Sequence, residues 1–384
     1  MQTAPRWSPL PAPERSVALE VLIHGPISRS DIARRLNLSA GSLSRLSAGL
    51  LQSGVLVETG ELSEGRAGRP SRPLDVVPGS RHFLGMKLTG EELLGVVTDL
   101  RANVLDSSSV VLPSRDPESV VETVARLAER LSRSVASITA LGVGLGGRVD
   151  RRSVVLSAPF LEWTDVRFGE MLERRTGLRT VVENDVDAFT EYEHWFGSGR
   201  GLDRFAVLTL GVGIGYGAVL HDRLLSNRDS GLGLVGHWPL DPYGPLCPQG
   251  HRGCARSVLA SPAIAQAIGT ALGRPIDFDE ACRLAEAGDP IARRVMDDAG
   301  RGLGRLIAAV GNLTLPDRIV LGGEGVRLAS IARAAVEEGI AIDRDPRATR
   351  LDIVATSGDN IEWCRGAAVI AIQDFVLDST AGRL

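Results

Sequence analysis

Lysine is nearly absent from this chain: of its 43 basic residues, only Lys87 is a lysine. That bias reflects a GC-rich genome more than any chemistry. Cysteine is scarce too. Four in 384 residues do not make a disulfide framework, and Cys282 and Cys364 sit in apolar, helix-like contexts that mark them as buried or inert. Net charge is only −4, so no overall basic surface advertises nucleic acid. No segment combines the length and freedom from charge of a transmembrane helix. The opening MQTAPRWSPLPAPERS has too many prolines, and no apolar core, for a signal peptide. A cytoplasmic protein with no membrane partner is expected. What is present is ordinary globular composition, with 43% hydrophobic residues, which excludes wholesale disorder. The length allows two or three domains and a large core.

Charge is not evenly spread. Residues 1–80 hold 9 Arg against 7 Asp and Glu, a slight excess of positive charge. Within them, Val17, Leu19, Val21, Leu22 and Ile23 make an apolar helical stripe that ends at Gly25-Pro26. Ser28 is placed to cap SRSDIARRLNL, with Asp31 three residues on, close to a capping box. Ser39 caps a third helix, whose inner face is Leu43, Leu46, Leu50 and Leu51 and whose stop is Gly54. The short strand Val55 to Glu58 follows. This is the pattern of a winged helix-turn-helix, and double-stranded DNA is the expected partner. The face toward DNA would be the start of the third helix: Ser39, Ala40, Ser42, Ser44 and Arg45. Serine hydroxyls and the helix N-terminus both suit phosphate. The alternative is a small helical dimerisation module. Gly68-Arg69-Pro70 resembles an AT-hook core, where a flat Arg69 enters a narrow minor groove; read otherwise, it is a plain linker. Pro78-Gly79 punctuates the boundary.

From Phe83 strands alternate with helices, the signature of an α/β architecture. Leu84 to Gly90 and Leu94 to Leu100 read as a hairpin, and residues 117–134 as a helix. Ala140 to Asp150 is a strand into a glycine turn. A helix with a glycine stop follows, and then a strand that turns into a helix at Glu183-Asn184-Asp185. The hub is Val207 to Cys254. There an apolar β-branched run enters Gly211, Gly213, Gly215 and Gly217, and His237, Cys247 and Cys254 follow. A strand feeding a glycine turn lets backbone N–H groups approach an oxyanion; a His and two Cys suggest a metal knot. Residues 261–272 and 289–311 are helical, Asp317 to Val326 is another strand with a glycine turn, and Arg365 to Leu377 is a packing helix.

ENDVDA, LTLGVGIGYG, GHWPLDP, CPQGHRGC and IVLGGEGV, in that order behind a helix-turn-helix, resemble the ROK family (repressors, open reading frames and sugar kinases) in its repressor branch. The resemblance covers residues 15 to roughly 376. It implies an actin-like, hexokinase-like pair of α/β subdomains with a cleft between them, preceded by the small winged helix-turn-helix. Residues 1–80 would form the head, 81–198 the first subdomain completed by a C-terminal helix within 365–384, and 199–364 the second. Dimers are usual in the family.

The departures bear on mechanism. Where kinase members place an Asp that helps hold Mg²⁺ beside ATP, this chain has Lys87. A cation cannot replace an oxygen ligand, so neither phosphoryl transfer nor an ATP cofactor is expected. Asp185 stands at the family's catalytic-base position and is vestigial; with Asn184 it can still accept hydrogen bonds, or it simply starts a helix. Leu234 and Arg256 stand where sugar-binding members carry carboxylates, which disfavours a neutral hexose. Arg256 and Lys87 would favour an anionic sugar derivative; the alternative is that the cleft binds nothing. The implied ligand residues are Gly146, Gly147, Asn184, Asp185, His237 and Arg256. The implied zinc motif is incomplete. His237, Cys247 and Cys254 are present, Gln249 stands where a Cys is expected, and His251 is near enough to substitute; otherwise the two cysteines are ordinary thiols in a loop. Once nucleotide chemistry is lost, Gly211-Val212-Gly213 and Gly322-Gly323 stay glycine for their backbone turns.

The sequence therefore reads as a transcriptional regulator, with carbohydrate-related genes as targets and a sugar or sugar derivative as effector. Two alternatives stand beside it. One is a sugar kinase with an accessory DNA-binding module, against which Lys87, Leu234 and Arg256 argue. The other is an interaction protein whose altered cleft or zinc loop docks a partner.

Overall fold

The computed structural model describes Leu10, residues 12–60 and residues 72–377. These fall into two compact units. One comprises the chain up to Gly201 together with the chain from Trp363; the other is Leu202–Glu362.

The first unit opens with three helices: α1 (Ala12–His24), α2 (Arg29–Arg35) and α3 (Ala40–Gln52). Ser28 and Ser39 cap the second and third, each side chain accepting a hydrogen bond from the backbone N–H three residues on. Val17, Val21, Leu22, Ile32, Leu43 and Leu50 form their shared core. Ala33, Leu36, Leu46 and Leu51 are only half-buried, because the helices are short and the bundle small. Strands β1 (Leu56–Glu58) and β2 (Leu74–Val76) pair antiparallel as a ribbon. Arg69 and the rest of the ribbon's connection lie outside the described residues.

The body of this unit is a five-stranded sheet built from β3 (Phe83–Leu88), β4 (Glu92–Thr98), β5 (Val104–Val111), β6 (Ala140–Leu145) and a final strand, Arg179–Asn184. Helix α4 (Pro117–Leu131) crosses from β5 to β6. Then come β7 (Arg148–Asp150), β8 (Val154–Ala158) and β9 (Trp163–Val166), a small separate sheet. Helix α5 (Phe168–Thr176) ends at left-handed Gly177. It leads into β10, the Arg179–Asn184 strand, and α6 (Asp185–Trp195). The order is β10-β6-β3-β4-β5, antiparallel among β3, β4 and β5 and parallel from β3 through β6 to β10. Leu84, Met86, Val120, Val124, Leu141, Val143 and Phe168 fill the core on the α4 and α5 side.

The second unit repeats this plan. Its sheet holds β11 (Arg204–Leu210), β12 (Ile214–Leu220), β13 (Arg223–Leu224), β14 and β15 in the order β13-β12-β11-β14-β15, an antiparallel meander followed by parallel strands. Helices α7 (Ala255–Leu259), α8 (Ser261–Leu272), α9 (Phe278–Glu286) and α10 (Pro290–Thr314) precede β14 (Arg318–Gly322). Then α11 (Arg327–Ile331) and α12 (Arg333–Asp343) lead to β15 (Ile353–Ala355). Met296, Leu303, Leu306 and Ile307 of α10 sit at the centre of its core.

Helix α13 (Asn360–Leu377) begins five residues earlier than its apolar pattern predicts. From Trp363 it belongs to the first unit, on the sheet face opposite α4. Gly85 and Gly142 are register partners on β3 and β6. A Cβ at either would run into the α13 backbone, at the carbonyls of Cys364 and Ala367 respectively. The two glycines thus form a trough in which the helix lies. Among the described residues no helix is long and apolar enough to cross a membrane.

Candidate functional site

In the first unit the parallel strands end together, which is where open α/β sheets place ligands. Lys87 lies opposite Gly144 in the register of β3 and β6, and Asn184 opposite Leu145 in that of β10 and β6. This brings Lys87, the Gly146-Gly147 turn and the Asn184-Asp185 helix start into one place. Asn184, rather than Asp185, caps α6: its Oδ1 accepts from the N–H groups of Val186 and Asp187 at 3.0 and 3.2 Å. Its Nδ2 donates to the carbonyl of Gly147 at 2.9 Å, tying helix start to glycine turn. Gly146 faces the Phe160 ring and the Asp185 carboxylate.

The ammonium of Lys87 donates to the Asp185 carboxylate. The two side chains are 12% and 13% exposed. The same ammonium sits 4.6 Å from the centre of the Trp363 ring, so an indole face supplies the remaining favourable field. The charge expected to read an anion is therefore met within the chain. Trp363 and Phe160 are site residues that sequence reasoning missed. Neither belongs to a motif, and Trp363 precedes the predicted start of its helix.

In the second unit the loop after β13 carries the His/Cys cluster. One ligand atom each from His237, Cys247 and Cys254 lies within 4.8 Å of the others. Nδ1 of His237 is 3.7 Å from Sγ of Cys247 and 3.9 Å from Sγ of Cys254. Nδ1 of His251 is 3.1 Å from Nδ1 of His237 and 3.5 Å from Sγ of Cys247. Tetrahedral coordination at normal zinc–nitrogen and zinc–sulfur lengths gives ligand–ligand edges of about 3.3–3.8 Å. These spacings fit that donor set. Gln249 points its residue to solvent. Burial, then the positive neighbours His251 and Arg256, hold His237 below the usual imidazole range, so the ring is neutral, as a ligand must be. Burial pushes the Cys247 thiol up, but backbone N–H donors of His251 and Gln249, with the His251 side chain and Cys254, bring it down to about 7. Arg256, in the first turn of α7, has its Cβ beside Gly236 and so stands next to His237. Leu234 is exposed.

At the front of the molecule Ala40, Ser44 and Arg45 are exposed and Ser42 is half-exposed. Ser39 is committed to its cap, accepting from the Ser42 N–H at 3.1 Å. Arg45 has no ion-pair partner among the described residues, whereas Arg29, Arg34 and Arg35 are paired with Glu58, Asp31 and Glu20.

Comparison with known proteins gives the same outline. The family model described as ROK matches residues 83–374. The chain is 26% identical over 364 residues to the DNA-binding transcriptional repressor Mlc of Escherichia coli, covering 90% of this chain and 89% of that one. It is 31% identical over 279 residues to a glucokinase of Thermotoga maritima, covering 66% of this chain and 87% of the enzyme. Among solved structures, a ROK family transcriptional regulator described as a homologue of the E. coli Mlc protein superposes with a TM-score of 0.80 at 28% identity, covering 95% of this chain and 98% of that one. The duplicated sheets, the hexokinase-like body and the small N-terminal helical head are thus those of its relatives, and the chain belongs to the ROK family.

Proposed function

We propose that this protein is a DNA-binding transcriptional regulator that controls carbohydrate-related genes and transfers no phosphoryl group. The observation that carries the reading is the extent of the similarity. The likeness to a repressor covers 90% of the chain, whereas the likeness to a glucokinase covers 66%. In this reading α1–α3 and the β1–β2 ribbon are a winged helix. The start of α3 enters the major groove through Ala40, Ser42, Ser44 and Arg45, with Ser39 and the helix N-terminus on phosphate, and Arg69 reaches the minor groove. A dimer presents two such heads to two half-sites.

The effector is a sugar or sugar derivative held at the Asn184-Asp185 helix start against Gly146 and Gly147; His237 and Arg256 are the second unit's candidates for the same role. Asp185 is not a general base here, because its carboxylate is engaged by Lys87 and an ammonium cannot ligate Mg²⁺. His237, Cys247 and Cys254, with His251 as the fourth donor, hold a structural zinc ion that pins the loop after β13.

Genome-wide mapping of bound sites by the full-length protein tests the reading. Discrete peaks that share a two-part motif beside carbohydrate genes are expected. Absence of sequence-specific binding, together with ATP-dependent sugar phosphorylation in a coupled assay, would establish the kinase reading instead.

A further inference from the structure

The second unit carries a glycine turn whose ligand-facing N–H is already occupied. Between β11 and β12 the turn Gly211–Gly213 presents the Val212 N–H outward, and that group donates to Oε1 of Glu324 at 3.0 Å. The carboxylate lies directly on Gly211, where a Cβ would collide with it. Glu324 comes from the turn after β14. That turn is locked to β11 by the Gly325 N–H on the Leu210 carbonyl at 2.8 Å, and α8 is locked to the same turn by the Ser261 N–H on the Gly211 carbonyl at 2.8 Å. Beside them lies a cavity of about 920 Å³ lined by Val212, Ser261, Ala265, Ile276, Phe278 and Glu324 among others. Ser261 is 6% exposed, and its hydroxyl, against Gly325, has no hydrogen-bond partner. A glycine turn with an outward N–H and a buried, unanswered hydroxyl is what an oxyanion site is made of.

We propose that this is a phosphoryl-anion site whose occupant in this chain is its own Glu324 carboxylate. Glu324 is a specificity residue: it takes the turn's N–H and adds a negative charge at the cavity mouth, so that ligands bearing phosphate are refused. It extends the reading that this chain transfers no phosphoryl group, and rests on a different residue from Lys87. Because Glu324 is exposed, the contact acts as a local competitor rather than a structural keystone, and it can be removed without emptying a core.

The test is calorimetric titration of inorganic pyrophosphate into the full-length protein. Wild type is expected to show no saturable binding up to about 10 mM. Glu324→Ala is expected to bind at least about tenfold more tightly than that limit, and Glu324→Gln, which keeps the acceptor and loses the charge, to fall between. Ser261→Ala in the Glu324→Ala background should lose most of the gain. The proposal is overturned if wild type binds pyrophosphate as tightly as Glu324→Ala. It is equally overturned if both Glu324 variants, with wild-type circular dichroism, stay indifferent, or if the Ser261 change has no effect. None of these outcomes touches operator binding, so the regulator reading stands or falls separately.

Discussion

Lys87 and Asp185 show how much a single exchange of charge can settle. Each side chain is about one-eighth exposed, so neither is well hydrated and each depends on the other. Removing one partner leaves the other charge poorly solvated, a loss larger than the net worth of the pair. Lys87→Ala should therefore lower stability by on the order of 2 kcal/mol, less than for a fully buried pair because water still reaches this one. The double variant with Asp185→Ala should lose clearly less than the sum of the single losses in urea unfolding. Additive losses would mean that the contact contributes nothing. A second residue-scale expectation concerns the thiols of metal-free protein. Cys247 titrates at about 7, so its thiolate dominates above that pH and is lost below it. Alkylation by iodoacetamide should rise about fivefold from pH 6 to pH 7 and less than twofold beyond. Cys282, pushed up to about 11 chiefly by burial, should stay silent over that range. Added zinc should abolish the Cys247 reaction; undiminished alkylation in saturating zinc would remove Cys247 from the ligand set.

At the scale of elements, the close approach of α13 to its sheet rests on Gly85 and Gly142. A methyl group on Gly142 points at the Ala367 carbonyl and can be accommodated only by lifting the helix. Gly142→Ala should cost roughly 1–3 kcal/mol, as overpacking does, and lower the thermal midpoint accordingly; an unchanged midpoint would mean that helix and sheet are not in register as described. These two glycines also mark the limit of what the sequence reveals. The serine caps, the Gly177 stop, α8, α10 and the strands that enter glycine turns were legible because capping and turn chemistry are local. The edge strand β5 was not: its pattern, VLDSSSVV, is exposed along almost its whole length and shows no alternation. Strands β8 and β9 are too short to show a period, and α12 follows α11 with only Ala332 between them. Of the candidate site, the Gly146-Gly147 turn, Asp185 and the His/Cys loop could be read from residue types and spacing. The ion pair of Lys87 with Asp185 spans 98 positions, and its meeting with Trp363 depends on strand register and on α13. Glu324 on the Gly211 turn likewise depends on the adjacency of β11 and β14. No linear pattern encodes such adjacency.

For the whole first unit, the question is how its head is held to its body. A short chain of contacts runs from α6 to the head. The guanidinium of Arg365 lies 4.4 Å over the Tyr192 ring of α6, and its Nε donates to the Ala102 carbonyl at 2.9 Å. In the same turn, Arg101 donates to the Gly25 carbonyl at 3.1 Å and to the Asp75 carboxylate, reaching both the start of the α2 segment and the ribbon strand β2. Asp99 holds that turn by accepting from the Arg101 and Asn103 N–H groups at 2.8 and 3.0 Å. One planar guanidinium thus fixes the head through two of its parts, a geometry that an ammonium cannot copy. Arg101→Ala should leave the body folded but quicken hydrogen exchange around Gly25–Ile32 and Leu74–Val76. If two heads must meet two half-sites together, loss of orientation lowers the effective concentration of the second head. Affinity for a full operator should then fall about tenfold, while affinity for an isolated half-site stays level, and Arg101→Lys should recover little. Equal losses on full and half operators would place Arg101 in the DNA contact itself; no loss on either would show that the head is held by its apolar packing alone.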